Sequence, residues 1–492
     1  MRSVASLRIA VTAVVGSAVA LLVACGASED GGARPADGAD ANGQGSSGGS
    51  SGSSGGTEAS ADASTSDAAA DGPLDAGPDA APAPCTRAAE ARTAPASLYD
   101  ALKSDLGGLI GDARTARVDT FLADVAAQGG TPLEDRNTGR SVFLVRGAPP
   151  SGPWSIVGSF VGWDKSLGLP MTALPDTDLF VVDTNVIPAG ASHSYKLLSG
   201  SDDAGYAEDP LARNVVWDGV YRGAVTEYNV GQLAAIVHPS KLPANKGRLV
   251  VHGMVHGTML GNDRKVYVYF PPRYDDGTCS NLPTIVFGDG NEALTRGDYA
   301  GIADGVYAAT PALSAVLVFA SLASPVVQQR VDEYSFGSGG SKGEAYVDFL
   351  ASDLWLAVKS GYRVCGRQEA RGLSGVSLGG LIATYAAFER PTEWGWVGAQ
   401  SASYWWSGSA LVTRAASTSP RIAVRFYLDS TDKAADNAFD VDAMATALSG
   451  KGYSYVRIKT PVAAADPHDW PFFKTRAAGM LTHFRDNQIA CD

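Results

Sequence analysis

The sequence predicts an α/β fold with a mainly parallel central sheet, preceded by a small β-sandwich. From about residue 245 to 492, strand-like apolar runs alternate with amphipathic helical stretches, the pattern of a parallel sheet covered on both faces. From Arg140 to about Val237 the pattern is one of short alternating runs separated by turn residues, as in a sandwich. Ahead of both, residues 26–84 hold 13 glycines, ten acidic residues and one arginine, with almost no large apolar side chain, so this stretch cannot bury a core. The expected division is 1–25, 26–84, 85–139, 140–240 and 241–492.

Residues 1–25 open with a short basic region and continue in an apolar run, Ile9 to Val23, that is short for a membrane span. The run ends in Leu22-Val23-Ala24-Cys25, which resembles a bacterial lipoprotein cleavage box. The expectation is a signal peptide with lipidation at Cys25, a lipid anchor to the membrane, and a body facing the periplasm or cell exterior. Residues 26–84 then form a disordered linker that holds the body off the membrane, with a reach on the order of 45 Å from the scaling of Gly/Ser-rich coils.

In the lead-in, residues 85–139, Leu98, Leu102, Leu106 and Leu109, then Val118, Phe121, Leu122 and Val125, recur at helical spacing and predict two short helices. Strands are expected at Ser141–Val145, Trp154–Val157, Leu179–Val182 and His193–Leu197. The third region predicts strands at Arg248–His252, Lys265–Phe270, Thr284–Phe287, Ala315–Ala320, Ala370–Ser374, Gly395–Gln400, Ile422–Leu428 and Ser454–Lys459. Helices are expected at Tyr346–Tyr362, Leu378–Phe388, Asn437–Gly450 and Pro471–Arg485.

The formal charge of −13 over 492 residues is concentrated in the linker, and residues 85–492 carry 36 basic and 42 acidic residues. A mildly acidic body excludes a nucleic-acid partner as the default reading. Beyond Cys25 there are four cysteines, an even number for an oxidising compartment. Cys279 with Cys365 is the favoured pairing, because each sits a few residues before a predicted central strand, and Cys85 with Cys491 then ties the ends of the body. No cysteine or histidine spacing supports a metal site, and no cofactor is expected.

Gly375-Val376-Ser377-Leu378-Gly379 fits the Gly-x-Ser-x-Gly elbow, in which small residues let a strand turn sharply into a helix and lift the serine above the sheet. The same pattern occurs at Ser47, Ser50, Ser54 and Ser341. Only Ser377 has a strand before it and an amphipathic helix after it, and it is the candidate nucleophile. Its base must follow it in the chain, which leaves His468 and His483. His483 lies within a helical repeat, whereas His468 sits in the loop Asp466-Pro467-His468-Asp469-Trp470, where a base can project over the sheet edge. The acid belongs after the strand Ile422–Leu428, where Asp432 and Asp436 both qualify. Two backbone donors are needed for an oxyanion. Leu378 N–H is one, and Gly290 or Asn291, in the glycine-rich turn after Thr284–Phe287, supplies the other.

These residues carry a resemblance. Residues 90–492 are similar to the enterochelin-esterase-like branch of the esterases, related to feruloyl esterases, esterase D and mycolyl transferases. The matching pieces are Val266-Tyr-Val-Tyr-Phe-Pro-Pro-Arg-Tyr274, Gly288-Asp289-Gly290, Arg330-Val-Asp-Glu333-Tyr334, Gly372-Leu-Ser-Gly-Val-Ser377-Leu-Gly-Gly380, Asp436-Asn437 and His468-Asp469-Trp470. The resemblance implies an α/β-hydrolase fold, a serine carboxylic-ester hydrolase working through an acyl-enzyme, and a triad of Ser377, His468 and Asp436, with Asp432 the alternate acid. Arg330, Glu333, Tyr334 and Trp470 are expected to border the substrate pocket, and a monomer acting on a small-molecule or glycan ester is expected. Trp154-Ser-Ile-Val-Gly-Ser-Phe-Val-Gly-Trp163 looks like an Ig-like (early-set) module, with Trp163 read as core in preference to a sugar contact. Rival readings are a mycolyl-type acyltransferase, a serine peptidase, and a carbohydrate-binding lipoprotein with an idle hydrolase domain.

Overall fold

A computed structural model describes residues 94–489 and 491, apart from 136–137, 188–192, 213–214, 218–231, 237–246 and 338. Cys25, Cys85, the signal segment and the linker lie outside the described residues.

Two helices, Ser97–Leu106 and Gly111–Ala127, precede two small antiparallel sheets. The first sheet pairs Leu133–Asp135, Arg140–Arg146, Leu179–Thr184 and Thr172–Ala173; the second is centred on Trp154–Gly158 and His193–Ser199. Side chains alternate faces along a strand, and Arg140–Arg146 uses both of them. Val142 and Leu144 pack with Leu102, Phe121 and Val125 from the helices, while Phe143 and Val145 pack with Trp154, Ile156, Tyr195 and Leu197 from the other sheet. The first sheet is therefore an apolar middle layer, which explains why the run Ser141–Val145 carries four large apolar residues in succession.

The larger sheet is built of eight strands: β1 (Arg248–Gly257), β2 (Asn262–Phe270), β3 (Thr284–Phe287), β4 (Val316–Ala320), β5 (Arg371–Val376), β6 (Trp396–Gln400), β7 (Arg425–Thr431) and β8 (Tyr455–Thr460). Their spatial order is β1-β2-β4-β3-β5-β6-β7-β8. β2 runs antiparallel to both its neighbours, and every pair from β4 to β8 is parallel. This is the α/β-hydrolase arrangement. The central strands are buried throughout and mainly apolar because crossover helices cover both faces. The sequence pattern missed four helices, at Gly290–Thr295, Tyr299–Ala309, Val327–Glu333 and Trp406–Ser417. The first two are buried along much of their length and so lack the amphipathic stripe that marks a surface helix.

The strand order reverses between β3 and β5, and ligand crevices in open parallel sheets form outside the carboxyl ends of strands at such a switch. Register sets those ends level: Phe287 pairs with Ser374, and Val376 with Gln400. At the end of β5 the chain turns through Ser377 into the helix Leu378–Glu389. A Cβ on Gly375 would lie 2.5 Å from the Gly379 carbonyl carbon, so the turn closes only with glycine.

The cysteine pairing differs from the expected one. Cys365 bonds to Cys491, which excludes both Cys279–Cys365 and Cys85–Cys491. Leu282 does pair with Val364, so the segment after Cys279 runs beside Cys365, but Cys279 itself lies three residues before that bridge and is half-buried. The chain end, returning along the last helix, reaches Cys365 instead.

Gly375→Ala is expected to lower unfolding free energy by roughly 1–3 kcal/mol, as forced overpacking of backbone against backbone does. Urea unfolding checks this, and a change within error of zero would mean that the elbow relaxes freely.

Candidate active site

Five loops meet at the carboxyl edge of the sheet, after β3, β5, β6, β7 and β8. Ser377 stands at φ 55°, ψ −121°. The turn is fixed by its neighbours: Ser377 N–H donates to Gln400 O at 3.0 Å, and Ser377 O accepts from Leu381 N–H and Ser403 N–H, each at 3.1 Å. The side chain is half-buried, with Oγ 2.9 Å from His468 Nε2 and 3.2 Å from Ser403 Oγ.

His468 Nδ1 lies 3.0 Å from Asp436 Oδ1. An ionised carboxylate only accepts, so Nδ1 carries the proton and Nε2 is left to accept from the Ser377 hydroxyl. Ser403 is then the donor of the hydroxyl pair. The Phe473 and His468 rings stand nearly perpendicular, 5.1 Å apart between centroids.

Asp436 is fully buried. Burial pushes its carboxyl up, but the His468 hydrogen bond, the Thr431 N–H at 2.7 Å and the Arg476 charge outweigh it and hold the group below its ordinary value. Asp432 is turned elsewhere: it pairs with Lys433 at 3.1 Å and accepts from Val462 N–H at 3.1 Å. What separates them is a single 3₁₀ turn, Ala434–Asp436, which points Asp436 inward and is followed by Asn437 at φ 58°.

The turn Gly288-Asp289-Gly290 lies against the elbow, with the Gly379 Cα 3.6 Å from where a Gly288 Cβ would stand. Gly290 packs on β4 so closely that a Cβ would sit 2.5 Å from Ala320 N. Gly290 and Leu378 each open a helix, where a backbone N–H has no acceptor within the helix. The Asn291 side chain is engaged away from the site: Nδ2 donates to Trp217 O at 3.2 Å, and Oδ1 accepts from Leu322 N–H at 3.3 Å. Only its backbone N–H is left as an oxyanion donor.

Three expected pocket residues have other work. Arg330 grips Asp289 through two hydrogen bonds of 2.6 and 2.7 Å. Tyr334 is fully buried and accepts from Asp289 N–H at 2.8 Å. Glu333, also fully buried, pairs with Arg264 at 3.1 Å. Arg330 and Tyr334 thereby brace the Gly288–Gly290 turn, while Glu333 ties the same segment to β2 through Arg264. Trp470 does border a cleft, of about 360 Å³, beside the loop that carries His468. Its other walls include Arg296 and Asp469, with Trp163, Lys165, Lys196, Asp203 and Tyr206 from the β-rich region. Trp163, expected in the core, is half-buried: it packs against the apolar cluster that includes Trp470 and also lines this cleft. Among the described residues no cluster of three or more metal-ligating side chains occurs.

Residues 257–453 match the model of the family described as "Putative esterase". An uncharacterised protein, YbbA, of Bacillus subtilis (strain 168) is 28% identical over 103 residues, or 19% of this chain. The chain spans 41% of that relative's length. Among solved structures, the enterobactin esterase FES from Shigella flexneri is 16% identical at a TM-score of 0.41, covering 70% of this chain and 93% of that one. A ferulic acid esterase is 16% identical at a TM-score of 0.41, covering 49% and 98%. An IroE-like serine hydrolase from Shewanella oneidensis is 16% identical at 0.40, covering 50% and 82%. The matched segment, residues 257–453, is similar to that family and holds Ser377, Asp436 and the Gly288–Gly290 turn.

Proposed function

We propose that the protein is a serine carboxylic-ester hydrolase in which Ser377 is the nucleophile, His468 the base and Asp436 the acid. The observation that carries the proposal is the unbroken line from Asp436 Oδ1 to His468 Nδ1 at 3.0 Å and from His468 Nε2 to Ser377 Oγ at 2.9 Å. His468 Nε2 takes the Ser377 proton as Oγ attacks the ester carbonyl carbon. The Leu378 and Gly290 N–H groups receive the oxyanion, where preorganised donors act most strongly. His468 then returns the proton to the departing alcohol oxygen, leaving an acyl-enzyme. Water, deprotonated by His468, attacks that acyl carbon and releases the acid with Ser377 restored. Asp436 holds the imidazole tautomer and stabilises its charged form. The domain division, the Ig-like module and the Cys25 anchor that exports this activity belong to the same proposal and are supported by the sequence pattern.

The cleft between Trp163 and Trp470 is where the part of the substrate beyond the ester group lies in this proposal. Its support is position, since Asp469, Trp470 and Pro471 in its wall follow His468 directly.

Ser377→Ala is expected to lower turnover of a p-nitrophenyl ester by roughly 10⁴-fold or more. A steady-state assay on the folded variant checks this, and retained activity would remove Ser377 from the mechanism. Trp163→Ala is expected to raise KM for a bulky aromatic ester more than for an acetate ester, by about 2- to 12-fold, the equivalent of the 0.5–1.5 kcal/mol of an aromatic contact. Equal changes in both would mean that the cleft is not used.

A further inference from the structure

The last helix, Trp470–Asp486, buries an apolar stripe that includes Phe473, Ala477, Met480, Leu481 and Phe484, and within it one cation, Arg476, only 6% exposed. Arg476 Nε donates to Asp429 Oδ1 at 3.0 Å, Nη2 donates to Ser401 Oγ at 2.6 Å, and Nη1 lies 3.2 Å from Asp436 Oδ2. Asp429 and Asp436 are both fully buried. The second oxygen of Asp429 accepts from Gln400 Nε2 at 3.1 Å, and Gln400 Oε1 in turn accepts from the Tyr299 hydroxyl. One buried guanidinium thus serves two buried carboxylates, one of which also holds His468.

Two neighbouring carboxylates out of water cannot both stay charged without a cation between them. Burial pushes Asp429 up to about 6 against the pull of Arg476, whereas Asp436 is held low. The cation ties together two loops and a strand, through Ser401 after β6, Asp429 near the end of β7 and Asp436 in the loop beyond it. It also stands on the helix that begins two residues after His468, so acid and base are placed by one element.

We propose that Arg476 is a positioning residue of this site: its guanidinium, shared between Asp429 and Asp436, keeps Asp436 charged and aimed at His468. The proposal rests on the Ser377, His468, Asp436 reading above. The groups facing the cluster are Tyr427 and Asp429 of β7, Tyr299 of the helix Tyr299–Ala309, Asp436, His468 and Arg476, with Arg457 of β8 acting on Tyr427. Burial drives both tyrosines far above their ordinary value, so they stay neutral. Asp429, pushed up to about 6 by burial, is the carboxylate of the cluster that lies nearest neutrality. Loss of the cation raises the proton affinity of Asp436 and removes a positive charge that opposes protonation of His468. Both effects move the acid limb of the kcat/KM profile to higher pH.

The experiment is the pH dependence of kcat/KM for Arg476→Gln and Arg476→Lys, each checked for folding by circular dichroism. Arg476→Gln is expected to shift the acid limb upward by about 1 pH unit or more, as removal of a charge at ion-pair distance does. Arg476→Lys, which keeps the charge and loses the planar fork, is expected to restore most of the limb with a reduced kcat. A folded Arg476→Gln variant whose limb does not move overturns the proposal, even if kcat falls, because a purely structural arginine lowers rate without moving a limb. Should Arg476→Gln fail to fold, Asp429→Asn decides. It leaves the guanidinium to Asp436 alone and is expected to move the limb downward, and an unmoved limb overturns the proposal. Turnover retained in Ser377→Ala falls on the proposed chemistry, whereas an unmoved limb in an enzyme that needs Ser377 falls on Arg476 alone.

Discussion

Ser377 is held in a backbone conformation that costs a side-chain-bearing residue about 1–3 kcal/mol, and the positions of the other site residues follow from it. The conformation persists because the chain on both sides is over-determined. Strand β5 is paired on both edges, Ser377 N–H is bound to the end of β6, and Gly375 and Gly379 touch backbone to backbone. With the serine fixed, its oxygen leaves the sheet at one place only, and the loops after β3, β6, β7 and β8 converge there.

Two buried arginines do comparable work on either side of that point. Arg330 clamps Asp289 at the turn that carries Gly290, and Arg476 joins Asp429 to Asp436. A buried ion pair is weak evidence of net stability, since desolvation offsets much of the attraction. Its geometric effect is stronger: a planar guanidinium with two or three acceptors admits few alternative arrangements. Loops that would otherwise vary are thereby given one shape at the edge where chemistry is proposed.

The parallel sheet was legible because its strands are short apolar runs bounded by turns, and Thr284–Phe287 falls where the pattern put it. Ser377 stood apart from four other matches because only it joins a strand to a helix. Spacing alone does not separate Asp432 from Asp436, which only the resemblance favours, because one 3₁₀ turn sends one inward and the other to Lys433. The resemblance implies a pocket role for Arg330, Glu333 and Tyr334 but carries no sign of their partners: Arg330 and Tyr334 hold Asp289, and Glu333 holds Arg264. The cysteine pairing depended on where the chain end returns, which periodicity does not carry. Arg476 left one signal that was not used, a charge within the apolar stripe of the last helix.

The central claim is that Ser377 is the reactive oxygen. The most direct measurement treats the folded protein with a fluorophosphonate and locates the adduct by peptide mass spectrometry. The account predicts that Ser377 Oγ displaces fluoride at phosphorus, giving one phosphonyl group on the peptide that contains Ser377 and none in Ser377→Ala. An unlabelled protein, or equal labelling of the Ser377→Ala variant, would contradict it.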